Sequence, residues 1–297
     1  MHFHFDQLKL LVKKTQLPTI AVVAANDAAV MQALKDASLH VSFKCVLIGD
    51  ALVIKKLLVK YPLDAEVIHE LDLIKMSSLA VELVRKQQAD VIMKGLIDTK
   101  YLLKAVVDST SGIKKATVLS HVALLQFPNK YSLIATDCAM NINPDLPTKW
   151  ALIMNAVMVA KCLKVNQPKV GIVSAVEKVN PKIISTTDAI ALKQQHQDSG
   201  DTSFLLDGPF AIDNLVSLDA VKHKGINSAV AGIADVLLFP ELISANVFYK
   251  TSVFLANAIV AGIIVGATVP IILTSRADSA LSKMYAILLA MVVSQCN

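Results

Sequence analysis

Aromatic side chains are scarce in this sequence, 5% of 297 residues with a single Trp, and charged side chains reach only 18%. A chain this poor in aromatics offers no stacking platform for bases. Its net charge of +5 gathers into no Arg/Lys stripe, so nucleic acid is not expected as a partner. Cysteine is sparse as well: Cys45, Cys138, Cys162 and Cys296 are widely spaced and form no Cys-x-x-Cys pair. That usage predicts a reduced, cytoplasmic protein in which each thiol serves as a small buried hydrophobe. The seven His residues are scattered without ligand spacing, and no metal site is expected. Met1 to Asp6 has neither a basic nor an apolar region of the kind that opens a signal peptide, so none is expected.

Apolar residues are abundant at 54%, which excludes disorder. Thr251 to Ser275 contains no charge at all. Its length permits a membrane span, but Asn257, Gly262, Gly266, Thr268 and Pro270 interrupt it. The expectation is a helix over about Ser252 to Val265 followed by a strand over Val269 to Leu273, and no membrane association.

From Thr19 onward, short apolar runs alternate with helical periodicity, the βα signature of a parallel sheet. Strands are predicted at 19–23, 45–48, 67–68 and 91–93, with helices from Asp27, over 51–59 and over 76–87. Ala116 to Leu125 and Tyr131 to Thr136 read as a hairpin about Pro128-Asn129-Lys130. Asp137 to Pro147, rich in Asn and Pro, reads as a domain crossover. Beyond it the pattern predicts a helix over 149–163, a strand at 169–174, a helix over 183–195 and a strand at 204–206. A helix near 212–221, a strand at 236–239 and an apolar helix after Asn246 complete it.

Polar turns at two strand ends carry the candidate chemistry. Val269 to Leu273 reads as a strand covered on both faces. Ser275, Arg276, Asp278 and Ser279 follow it, at the carboxyl end where open α/β sheets place ligands. Asp278 or Ser279 is a plausible N-cap whose helix would aim free N–H groups at an anion. Ser275-Arg276-Ala277-Asp278-Ser279 also fits an ordinary strand-to-helix connection with a capping Asp and a solvated Arg. At the earlier turn, the Lys94 ammonium and the Gly95 amide are candidates to hold phosphate oxygens, with Thr99 capping the next helix. A plain helix entry with a solvated Lys is the alternative. Asn246, Tyr249 and Lys250 share one side of a helix start by their spacing, and read either as site residues or as a cap, a packed aromatic and a surface Lys. Lys222, His223 and Lys224 read as a solvated cluster rather than a phosphate contact. No Gly-x-Ser-x-Gly elbow and no His beside Ser275 point to a serine nucleophile.

Leu273-Thr274-Ser275-Arg276-Ala277-Asp278-Ser279 resembles the phosphate acetyl/butyryl transferase family, its butyryltransferase branch in particular. So do Lys94-Gly95-Leu96-Ile97-Asp98-Thr99, Thr136-Asp137-Cys138-Ala139-Met140-Asn141, Asp207-Gly208-Pro209, and Val230-Ala231-Gly232 with Pro240 and Asn246 to Lys250. The blocks keep the family's order from about residue 15 to the end. The resemblance implies two α/β/α domains with an interdomain cleft, like isocitrate and isopropylmalate dehydrogenases. One domain would span 1–137 and 267–297, the other 138–266. It implies transfer of a short acyl group, butyryl in the first instance, between coenzyme A and inorganic phosphate. Butyryl-CoA and phosphate would give butyryl phosphate and CoA by direct attack in a ternary complex, without a cofactor.

By the same resemblance Arg276 would hold the phosphate, and Ser275 or a nearby N–H would stabilise the oxyanion. Asp278 would be the base that takes the CoA proton when acyl-CoA is formed. Lys94, Gly95, Thr99, Asp207, Gly208, Asn246, Tyr249, Lys250 and Ser279 would bind substrate, in a homodimer. The sequence departs from acetyltransferase members at four places: Ala277 stands where many have Gly, Ser282 where they carry an acid, Pro209 where Glu is common, and Ala245 where Gly is frequent. A positive φ at Ala245 would be strained. An acetyl-specific enzyme is the near alternative. A decarboxylating NAD-dependent dehydrogenase lacks its Asp cluster and Gly-x-Gly-x-x-Gly here, and a non-catalytic CoA-binding protein is the third reading.

Overall fold

The computed structural model describes residues 1, 3–13, 17–129, 131–273 and 278–296. They form two units, the first made of Phe5–Leu119 with Val260–Asn297 and the second of Met1–His4 with Ser120–Ile259. The expected crossovers at 137/138 and 266/267 are thus displaced to 119/120 and 259/260, because the hairpin strands pair within the second unit's sheet.

The first unit begins with α1 (Leu8–Leu11) and then alternates β1 (Thr19–Val23), α2 (Ala28–Ser38), β2 (Lys44–Gly49), α3 (Ala51–Lys60), β3 (Ala65–His69), α4 (Leu73–Arg85), β4 (Val91–Lys94) and α5 (Thr99–Val106). Helices α2 to α5 each start at an aspartate, Asp27, Asp50, Asp72 and Asp98, whose carboxylate accepts from amides of the first turn. That satisfies N–H groups the helix itself leaves unpaired.

In the second unit β5 (Ser120–Gln126) and β6 (Ser132–Thr136) form the antiparallel hairpin. They are followed by α6 (Leu146–Cys162), β7 (Lys169–Val173), α7 (Ile184–Ser199), β8 (Leu205–Phe210), α8 (Ile212–Val216), α9 (Leu218–Lys224), β9 (Val236–Leu238) and α10 (Leu242–Phe254). The strand order is β5-β6-β9-β7-β8, parallel after the hairpin. Helix α6 starts earlier than expected, at Leu146 under an Asp145 cap, so the crossover loop is shorter than Asp137 to Pro147. The single helix expected near 212–221 is split by Ser217, which is extended and caps α9 through its side chain.

The chain then returns to the first unit through β10 (Ile259–Val265), β11 (Ile271–Ile272) and α11 (Ala280–Ser294). Strand β11 lies between β4, to which it is parallel, and β10, to which it is antiparallel, in the order β3-β2-β1-β4-β11-β10. The helix expected over Ser252 to Val265 is therefore wrong for most of its length: α10 ends at Phe254, and Ile259–Val265 is a strand. Five of those seven residues are β-branched, which suits a pleated surface better than a helix. Both β11 residues are fully buried, as the strand reading required. Among the described residues no helix is long and apolar enough to cross a membrane. Cys45 and Cys138 are free and buried. Cys162 and Cys296 are each disulfide-bonded, a departure from the expectation that all four are reduced thiols.

Candidate active site

The two polar turns singled out in the sequence leave the same end of the first unit's sheet. Ile271 pairs with Ile92 and Ile272 with Met93 in parallel register, so the chain emerges from β11 beside Lys94, the last residue of β4. Ser275 and Arg276 lie outside the described residues. Beyond them, Ser279 caps α11, its hydroxyl accepting from the Ser282 amide at 3.1 Å. Asp278 is not the cap; its main-chain carbonyl accepts from the Lys283 ammonium. Of the two roles open to Asp278, capping is thereby removed.

The Lys94 turn is built differently from expectation. The Gly95 amide donates to the Val23 carbonyl at 2.8 Å, so it is spent inside the fold and is not a phosphate donor. The glycine is needed for close approach: a Cβ there would lie 2.2 Å from the Ala24 carbonyl oxygen. Lys94 bends over its own turn, donating to the Ile97 carbonyl at 2.9 Å and the Gly95 carbonyl at 3.3 Å. Asp98, rather than Thr99, caps α5, and its hydrogen bond from the Lys100 amide holds the carboxyl below the ordinary carboxylate value. Thr99 is the first helical residue.

The second unit carries the remaining candidates. On β8, Asp207 pairs with Lys193 and accepts from the Ser228 hydroxyl and the Gly208 amide. Gly208 is pressed against β7, where a Cβ would meet the Ile172 Cβ at 2.8 Å. Asp207 thus ties β8 to α7 and to the segment after α9, while Gly208 permits the close packing of β8 on β7. Asn246 donates to the Cys138 carbonyl at 3.1 Å, tying α10 to the loop after β6. It sits a turn inside α10, which starts at Leu242 under a Glu241 cap; Ala245 is helical, so the strained φ expected there does not arise. Tyr249 is buried edge-on to His121, with ring centroids 6.0 Å apart, and the Lys250 ammonium lies 5.2 Å above the Tyr249 ring. Asn246, Tyr249 and Lys250 accordingly do not form one exposed face. Lys224 pairs with Asp213 and Glu177, while Lys222 stays solvated.

Sequence reasoning missed two buried polar groups. Asp137 at the end of β6 accepts from the amides of His121, Ala139 and Met140 and from the Asn141 side chain, at 2.6 to 3.2 Å. Its signal was the Asp-x-x-x-Asn spacing directly after a strand. Lys283 is the lone charged residue of α11 and is only 5% exposed.

Both units are thus α/β structures built largely on parallel strands. Residues 60–291 match the family described as "Phosphate acetyl/butaryl transferase". The chain is similar to the probable phosphate butyryltransferase of Bacillus subtilis, 41% identical over 294 residues, 97% of this chain and 98% of that one. It is 36% identical to the phosphate butyryltransferase of Clostridium acetobutylicum over 295 residues, 98% of each. A solved branched-chain phosphotransacylase from Enterococcus faecalis superposes with a TM-score of 0.86 at 31% identity, over 94% of this chain and 99% of that one. The chain belongs to the phosphate acetyl/butyryl transferase family.

Proposed function

We propose that the protein is an acyltransferase that moves a short acyl group, butyryl before acetyl, between coenzyme A and inorganic phosphate. A phosphate oxygen attacks the thioester carbonyl, the C–S bond breaks, and CoA leaves as thiolate while the acyl–oxygen bond of butyryl phosphate forms. Arg276 matches phosphate with its planar fork. Ser275 or an α11 amide stabilises the oxyanion, and Asp278 takes the CoA proton in the acyl-CoA-forming direction. Lys94, Gly95 and Thr99 shape the neighbouring turn. Asp207, Gly208, Asn246, Tyr249 and Lys250 frame the acyl-CoA side, and Ser279 seats α11. The observation that supports this reading is the parallel register of Ile272 with Met93, which brings the end of β11 beside Lys94. An isocitrate/isopropylmalate dehydrogenase-like domain arrangement, a cytoplasmic homodimer and the absence of any cofactor belong to the same proposal.

Phosphate-dependent release of free thiol from butyryl-CoA and acetyl-CoA, followed with a thiol reagent in metal-free buffer, tests it. Release that requires phosphate is expected, with the higher kcat/KM for butyryl-CoA. The margin will be modest, since extra methylenes in an apolar pocket are worth about 1–3 kcal/mol. Turnover without phosphate dependence would sink the assignment.

A further inference from the structure

We infer that the second unit carries the seat for the pantetheine arm of acyl-CoA, in a groove at the start of α7; this rests on the acyl-transfer reading above. The groove encloses about 740 Å³, inside the roughly 300–1,000 Å³ of small-ligand sites and far more than a butyryl group fills. It lies where β6, β9 and β7 end and α6, α10 and α7 begin, at the carboxyl ends of mutually parallel strands, the edge that collects ligands in open α/β sheets.

The walls of the groove are already fixed. Lys149 on α6 is 5% exposed and pairs with Asp188 on α7. The Leu242 amide at the start of α10 donates to the Ile142 carbonyl at 2.9 Å, and the loop before Ile142 is pinned by the Asp137 carboxylate. A ligand entering here has little chain to order, which spares affinity.

The lining suits one part of acyl-CoA and not the other. Pro144, Leu146, Pro147, Ile184 and Pro240 offer apolar surface, and Asp145, Asp188 and Glu241 supply carboxylate acceptors. Helix α7 starts without a side-chain cap, so the Ile184 and Ser185 amides meet no side-chain acceptor and can donate. A chain of secondary amides with a branched aliphatic segment uses all three, and that is the chemistry of pantetheine. The nucleotide phosphates of CoA belong elsewhere: three carboxylates line the groove against the one ammonium of Lys149, which Asp188 already neutralises.

Ile184 is 71% exposed, so it can be enlarged without disturbing the core. KM values of wild type and Ile184→Trp are compared for butyryl-CoA, butyryl-pantetheine and phosphate, together with Tm. Both thioester KM values are expected to rise about ten-fold or more as the indole fills the groove, with the phosphate KM and Tm unchanged. The phosphorylated adenosine portion of CoA, lacking pantetheine, should inhibit both proteins equally. Thioester KM values at the wild-type level would overturn the inference, as would inhibition by the adenosine portion that weakens as much as butyryl-pantetheine does. Should Ile184→Trp fail to fold, Ile184→Ser takes its place under the same criteria. Calorimetric titration with CoA separates the two claims. If wild type binds CoA without phosphate-dependent thiol release, the acyltransferase reading fails, while a weaker Kd in the variant supports the groove and an equal Kd overturns it. A wild type that binds no CoA overturns both.

Discussion

The Gly95 amide is hydrogen-bonded to the Val23 carbonyl at 2.8 Å, so the turn that carries Lys94 is clamped onto the end of the neighbouring strand. This contact makes the turn rigid at the cost of one donor. It also explains why a residue that reads as a phosphate ligand serves as a seat for the turn.

Replacing Gly95 with Ala should disturb that seat. Its new Cβ would lie 2.2 Å from the Ala24 oxygen and 2.8 Å from the Val23 oxygen, backbone atoms that cannot swing aside. Overpacking of this kind costs about 1–3 kcal/mol. Urea unfolding of Gly95→Ala should show a lowered midpoint with an unchanged slope, accompanied by loss of turnover. A variant of wild-type stability would mean the turn has room that the structure denies.

Arg276 and Asp278 should separate kinetically. Arg276→Ala is expected to raise the phosphate KM about 100-fold or to abolish turnover, as loss of a charge-assisted phosphate contact would do. Asp278→Asn should lower kcat about 100-fold, the low end for general acid–base catalysis, with little change in phosphate KM. Steady-state kinetics at fixed pH read both. Wild-type kcat in Asp278→Asn would overturn its assignment as the base.

The free thiols are expected to be silent. Burial, with the Asp64 charge as a smaller contribution, pushes the Cys45 thiol from 9.0 up to about 12. Burial pushes Cys138 up as well, aided by Asp137. Both folded values stand above the unfolded one, so the neutral thiols contribute stability in full below pH 9.0, and for Cys45 that contribution is lost as pH rises from there to about 12. A thiol reagent at pH 8 should label neither residue in the native protein and should leave activity intact. Stoichiometric labelling of Cys138 with loss of turnover would instead bring an acyl-cysteine into consideration.

Strands β1 to β4 and the helices between them were legible because apolar periodicity is regular there and, at Asp27, agrees with an aspartate cap; the Asp72 cap went unread, and the helix expected from Met76 starts at Leu73. Where only one signal existed, reading failed. The run after Ser252 is apolar on every face, so periodicity could not separate helix from strand, and the β-branched content of Ile259–Val265 was the better guide. Ser217 breaks a helix that composition alone would continue. At the candidate site the residue types were readable, but their partners were not. The claim of Val23 on Gly95, and of Cys138 on Asn246, depends on chain segments 72 and 108 positions away, pairings that no local pattern encodes. Lys283 escaped notice because one lysine in an apolar helix looks like a solvated residue until its burial is known.

The seat of β11 has a consequence for how the molecule is made. Ile92 pairs with Ile271, and β11 lies inside the first unit's sheet rather than at its margin. As the chain leaves the ribosome, β4 must wait, one side unpaired, until nearly all of the sequence has been translated. Contacts of such long separation slow folding and leave an exposed strand flank in the interval. A nascent fragment that ends before Ile271 therefore lacks the strand that closes the gap between β4 and β10, and the first unit's sheet cannot be completed until the last tenth of the chain is made.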